Sequence, residues 1–95
     1  MIRRLVKMTF QPDKVETFLE LFEESKHKIR AMPGCLHLEL WRHDTIFFTY
    51  SIWEDERALD HYRFSDVFKT VWAKTKPLFA EKAQAWSLQV QSQAD

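Results

Sequence analysis

Cys35-Leu36-His37-Leu38-Glu39-Leu40-Trp41-Arg42, followed after a short interval by Ile46-Phe47-Phe48-Thr49-Tyr50-Ser51-Ile52-Trp53, is the stretch that decides the fold. The first run alternates leucine with polar or aromatic residues and the second is dense in β-branched and aromatic side chains, so both read as strands. A tight turn near His43-Asp44 joins them as a hairpin. If that turn has two residues, Leu40 faces Phe47, Leu38 faces Thr49 and Leu36 faces Ser51 on one side of the sheet. Trp41, Glu39 and His37 then face Ile46, Phe48 and Tyr50 on the other. Large apolar groups thus occupy both faces, whereas an antiparallel sheet with one side in water alternates apolar with polar residues.

Towards the N-terminus, Ile2 to Phe10 reads as a strand that stops at Gln11-Pro12-Asp13, where proline suits a first helical turn. From Val15 the apolar positions Val15, Phe18, Leu19, Phe22 and Ile29 recur at helical spacing, separated by glutamates and lysines. That helix ends near Met32-Pro33-Gly34, because Pro33 disfavours helical geometry at Met32 and Gly34 can take positive φ. Beyond the hairpin, Asp55 can cap a short helix carrying Ala58, Leu59 and Tyr62. Ser65 can cap a second, carrying Val67, Phe68, Val71, Trp72 and Thr75, which Pro77 should end. Ala85 to Val90 is the last strand, with Trp86, Leu88 and Val90 on one side, and 91–95 form a polar tail. The order is β-α-β-β-α-β, an α+β domain of the ferredoxin-like, split β-α-β kind over residues 1–95, with a four-stranded antiparallel sheet and helices on one face. Packing two such sheets face to face would bury the second apolar face, so a homodimer is expected.

Composition points the same way. Of 95 residues, 45% are hydrophobic and 15% aromatic. A chain this short has little interior in which to hide so many rings, so a partner subunit, a ligand pocket or both must take them. Fourteen Lys and Arg balance fourteen Asp and Glu, leaving no net field to attract nucleic acid or an anionic membrane. Gly34 is the only glycine, which excludes Gly-rich phosphate loops and the nucleotide chemistry they serve. Cys35 is the only cysteine and the four histidines are scattered, so neither an intrachain disulfide nor zinc-ligand spacing is available. No apolar run reaches the length of a signal core or membrane span, and a cytoplasmic protein without metal or organic cofactor is expected.

Several residues together resemble the antibiotic biosynthesis monooxygenase family: Pro33-Gly34-Cys35, the strand Phe48-Thr49-Tyr50-Ser51-Ile52-Trp53-Glu54, then Ala58-Leu59, His61, Ser65 and Phe68. The resemblance implies a dimeric α+β barrel with a pocket between sheet and helices in each subunit. It also implies one of several activities: oxidation of quinols or anthrones by O2 without metal or flavin, haem degradation, or isomerisation and epimerisation of small metabolites. Trp53 stands where cofactor-free anthrone oxygenases keep a pocket tryptophan, while Thr49 and Leu59 replace their asparagine and tyrosine. The nearest counterparts of the haem-degrading set are Val6, Tyr62 and Trp72, which include no axial ligand. His61 matches a histidine that quinol-oxidising members carry before the serine.

Candidate chemistry therefore centres on His61, whose ordinary pKa near 6.5 suits removal of a proton from a phenol or enol. The resulting anion could itself reduce O2. The alternative is a helix-capping histidine bonded to Ser65 or a backbone carbonyl. Trp53 could stack a flat ring or simply fill the core. Arg4, in an otherwise apolar strand, could hold an anionic oxygen, or pair with Glu39. Leu36, Leu38, Phe47, Trp53 and Leu59 are the expected apolar lining, which favours flat aromatic substrates over sugars. His37 and Glu39 share a face without a third ligand, and Cys35 has no flanking base. The leading expectation is a cofactor-independent monooxygenase of quinol-like or polyphenolic small molecules, using O2, with His61 as base and Trp53, Thr49, Leu59, Arg4, Leu38 and Phe47 around the substrate. An isomerase or epimerase, and a non-catalytic small-molecule-binding dimer, are the alternatives.

Overall fold

The computed structural model describes residues 1–95. Four strands form: β1 (Ile2–Thr9), β2 (Cys35–His43), β3 (Ile46–Trp53) and β4 (Gln84–Leu88). Three helices, α1 (Val15–Arg30), α2 (Glu56–Arg63) and α3 (Asp66–Thr75), are supplemented by 3₁₀ turns at Pro12–Lys14 and Lys76–Leu78. The strand order is β2-β3-β1-β4 and each adjacent pair is antiparallel, the ferredoxin-like arrangement.

Local chemistry sets the boundaries. Val15, Phe18 and Ile29 of α1 are buried, the apolar stripe of an amphipathic helix. After α1 the chain turns through Gly34, whose φ is +80°. A Cβ built there would lie 2.4 Å from the Ala58 Cβ, so glycine permits both the left-handed turn and the close approach of α2. The Asp55 carboxylate accepts from Ala58 N at 2.8 Å and the Ser65 hydroxyl from Phe68 N at 3.2 Å, so both expected caps form. Pro77 falls inside the turn that follows α3.

The hairpin register differs from the expected one. The turn is Asp44-Thr45, with His43 opposite Ile46, and Asp44 takes φ +55°. Leu40 consequently faces Thr49, Leu38 faces Ser51 and Trp41 faces Phe48, a slip of two residues. Because the slip is even, every one of these side chains keeps its expected face. Leu36 does not: a register shift between Cys35 and His37 leaves it out of the ladder and exposed. A bulge interrupts the two-residue alternation on which its inward placement rested.

The interior consists of two clusters, not one. Met8, Phe10, Val15, Phe18, Phe47 and Leu78 form the larger, and Cys35, Trp53 and Leu59 the smaller. The opposite sheet face carries Leu5, Phe48, Tyr50, Ile52, Trp41, Trp86 and Leu88, as their cross-strand pairing requires. Trp41 stacks on Tyr50 with centroids 5.0 Å apart, yet Trp41, Trp86 and Leu88 remain 43%, 41% and 44% exposed.

Candidate functional site

Between the two clusters lies a cavity of about 420 Å³, within the range of pockets that accept small organic ligands. Met8 and Phe18 of the larger cluster and Trp53 and Leu59 of the smaller both reach it, so the gap that divides the core is the candidate site. Trp53 closes β3 and stacks on Tyr62 of α2 at 5.0 Å and 19°. Tyr62 meets Phe68 edge-on at 5.3 Å, and Phe68 stacks on Trp72 at 5.8 Å and 10°. These four rings form a continuous apolar wall along the cavity.

Its polar groups are few and nearly all can donate. The Trp53 indole donates to the Ser51 hydroxyl at 2.9 Å and the Thr75 hydroxyl donates to Val71 O at 2.7 Å, so both are engaged within the protein. Arg4, Arg63, Thr49 and Tyr62 also line the space, and no carboxylate, imidazole or thiol does. Arg4 lies on the helix-facing side of the inner strand β1, where its Nη1 donates to the Ser87 hydroxyl of β4 at 3.1 Å. Burial and, after it, the charge of Arg63 push the Arg4 pKa below its ordinary value, with Asp60 opposing them. A guanidinium so placed stays charged at neutral pH. Asp60 itself pairs with Arg63, 3.7 Å away.

Burial, helped by the nearby Cys35, pushes the Tyr62 phenol well above its ordinary value, so at neutral pH it presents a hydroxyl donor and not an oxyanion. The folded protein holds this proton more tightly than the unfolded chain, whose phenol titrates near pH 10. The associated stability is therefore complete below about pH 10 and declines as pH rises beyond it. Denaturant melts between about pH 9 and 11 should show a steeper alkaline loss for the native chain than for Tyr62→Phe; equal slopes would contradict this account.

The structure brings together Trp53, Thr49, Leu59, Arg4 and Leu38 around the cavity. Phe47 is not among them. It is fully buried, packed edge-on against Phe10 and Phe18, because Phe10, just past the end of β1, and Phe18 of α1 close over that end of β3. His61 is also a correction: it is exposed on α2 and does not line the cavity. Leu59 and Tyr62 take the inward face of α2, and His61, one 100° helical step from Tyr62, turns away. His61 does lie in the last turn of α2, as the capping alternative requires, but the Ser65 hydroxyl is engaged elsewhere, donating to Tyr62 O at 2.6 Å and accepting from Phe68 N. Arg4 does not pair with Glu39, which lies on the other sheet face 2.5 Å from His37 Nε2. Tyr62, Phe68, Trp72 and Arg63 were not anticipated as lining. The i, i+4 spacing of Phe68 and Trp72 offered a signal for the aromatic wall; nothing in the sequence marked Arg63.

A ferredoxin-like sheet with a small-molecule-sized cavity beneath its helices defines the structural class. The chain belongs to the antibiotic biosynthesis monooxygenase family, whose sequence model matches residues 1–74. An uncharacterized Synechocystis protein, sll1783, is 27% identical over 77 residues, covering 78% of this chain and 52% of that protein, so the chain spans about half the length of this relative. A conserved protein from Methanosarcina mazei Go1 shares the fold with TM-score 0.88 and 22% identity, over 93% of this chain and 90% of that one. Rv0793 from Mycobacterium tuberculosis gives 0.89 and 18%, over 99% and 98%. SnoaB from Streptomyces nogalater, a cofactor-independent oxygenase, gives 0.84 and 14%, over 97% and 94%.

Proposed function

We propose that this chain is a cofactor-independent monooxygenase that acts, as a homodimer, on quinol-like or polyphenolic small molecules. The observation that carries the reading is an aromatic-walled cavity lined by a half-buried cation, Arg4, that has no carboxylate within ion-pair distance. Family membership supports the reaction class. Trp53 and Tyr62 hold the ring, Leu38 and Leu59 fill its flanks, and Thr49, Tyr62 and Arg4 receive its oxygens.

With His61 outside the cavity, no side-chain base is positioned to take the substrate proton. The lining instead favours the deprotonated substrate: a guanidinium and a phenol hydroxyl stabilise the phenolate or enolate oxygen and lower its pKa, and the proton passes to solvent. The electron-rich anion transfers one electron to O2, and the radical pair recombines to form a carbon–oxygen bond. The peroxide then loses water, so a hydroquinone and O2 yield a hydroxyquinone and H2O, with two hydrogens and four electrons leaving the ring system. An isomerase reading is less favoured, because it needs a base to return the proton to carbon and the lining supplies none.

Oxygen-electrode assays with a panel of benzo- and naphthohydroquinones should show uptake above autoxidation, one O2 per product, without hydrogen peroxide. His61→Ala should retain that rate. Binding of the quinols without enzyme-dependent O2 uptake would leave a sequestering dimer as the function, and product formation without O2 would identify an isomerase.

A further inference from the structure

Arg4 is an unusual choice for its position. It occupies the helix-facing side of the inner strand β1, between Ile2 and Val6, both apolar and both packed against the interior. Its guanidinium has a neutral partner in Ser87, at 3.1 Å, and a second guanidinium, Arg63, lines the same cavity and depresses its pKa. Two like charges beside a largely apolar space are unfavourable unless an anion joins them. Asp60 offsets part of this charge, but it is drawn to Arg63 on the α2 side and does not line the cavity. The three charges therefore leave a surplus of one positive charge directed at an aromatic-walled cavity. Arg side chains offer several fixed donors, so one bond to Ser87 leaves Arg4 others for a planar two-oxygen acceptor.

We infer that the natural ligand is an aromatic acid: a planar ring system bearing a carboxylate beside its ring oxygen, its ring against Trp53 and Tyr62, with the Arg4 donors that Ser87 leaves free shared between the carboxylate and that oxygen and Arg63 as the nearer-solvent second contact. This rests on the proposed reading of the cavity as the substrate site, and it names the substrate class that reading leaves open. The two arginines divide the work. Arg4, set in the sheet and tied to β4 through Ser87, fixes the anion's position; Arg63, at the C-terminal end of α2 and about half exposed, contributes a screened charge.

The test compares naphthalene-2-carboxylate with naphthalene-2-carboxamide, which share shape and ring system and differ in charge. Binding is followed by quenching of tryptophan fluorescence, since Trp53 and Trp72 both line the cavity. The carboxylate should bind roughly ten- to a hundredfold more tightly, the range expected for a charge-assisted hydrogen bond. Arg4→Met should abolish the preference, weakening carboxylate binding far more than carboxamide binding. Arg4→Lys should restore part of it, and Arg63→Met should reduce it more weakly and mainly at low salt. Equal affinity for the two probes in the native chain, or a preference that survives Arg4→Met in protein with a native circular dichroism spectrum, would overturn the inference. Because binding is read without turnover, O2 uptake on neutral quinols with no carboxylate preference would sink this inference alone. A clear preference without O2 uptake would instead keep the acid site and remove the oxygenase.

Discussion

Phe48→Asp is expected to dissociate the proposed dimer and to lower thermal stability sharply. Phe48 lies opposite Trp41 and Lys7 on the face of the sheet remote from the helices, beside tryptophans that are still more than two-fifths exposed. If a second copy covers that face, the interface is isologous and each substitution acts twice. Loss of a central aromatic contact costs about 2–4 kcal/mol per copy, so the dissociation constant should rise by about a thousandfold or more. Sedimentation or light scattering at micromolar concentration should show a dimer for the native chain and for Lys28→Asp on the exposed side of α1, and a monomer or unfolded chain for Phe48→Asp. The melting temperature of the native protein should also rise with concentration, as coupled folding and association require. A native chain that is monomeric at these concentrations, or a Phe48→Asp variant that stays dimeric, would refute the arrangement.

Trp53→Ala should be the most damaging substitution inside the subunit. Trp53 is 1% exposed, anchors the smaller core cluster, stacks on Tyr62 and donates its indole hydrogen to Ser51. Removing it deletes a large buried ring and enlarges a space that is already a cavity, and neighbouring side chains can collapse into it only in part. A loss of about 3–5 kcal/mol is expected, a large share of the roughly 5–15 kcal/mol that stabilises a typical domain. Trp53→Phe should lose less, because it keeps a ring against Tyr62 and forfeits mainly volume and the bond to Ser51. Urea unfolding would rank the three proteins, and near-native stability of Trp53→Ala would mean that this end of the sheet is not the pillar its burial indicates. In the folded Phe variant, naphthalene probes should bind more weakly, since the wall on which they stack is smaller.

Backbone periodicity made the secondary structure legible. The alternation from Cys35 to Trp53, the helical spacing from Val15 to Ile29 and the Asp55 and Ser65 caps are local signals, and local signals fix strands, helices and their ends. The same alternation revealed a sheet apolar on both faces, and the isolated Arg4 stood out against its strand before any contact was known. Long-range packing decided the rest. The hairpin slipped by two residues because the turn formed at Asp44-Thr45, where aspartate accepts a left-handed backbone conformation; the evenness of that slip is why the faces survived it. Leu36 left the ladder through a bulge that alternation does not encode. Phe47 and Thr49 share a face of one strand and read alike, yet Phe10 and Phe18 seal the first into the core while the second borders the cavity. His61 fits either an inward or an outward position in a sequence reading, and its direction followed from which face of α2 Leu59 and Tyr62 bury against the sheet. A periodic pattern specifies which side of an element turns inward, but the cavity lies where two core clusters fail to meet, and that distance is set by residues far apart in the chain.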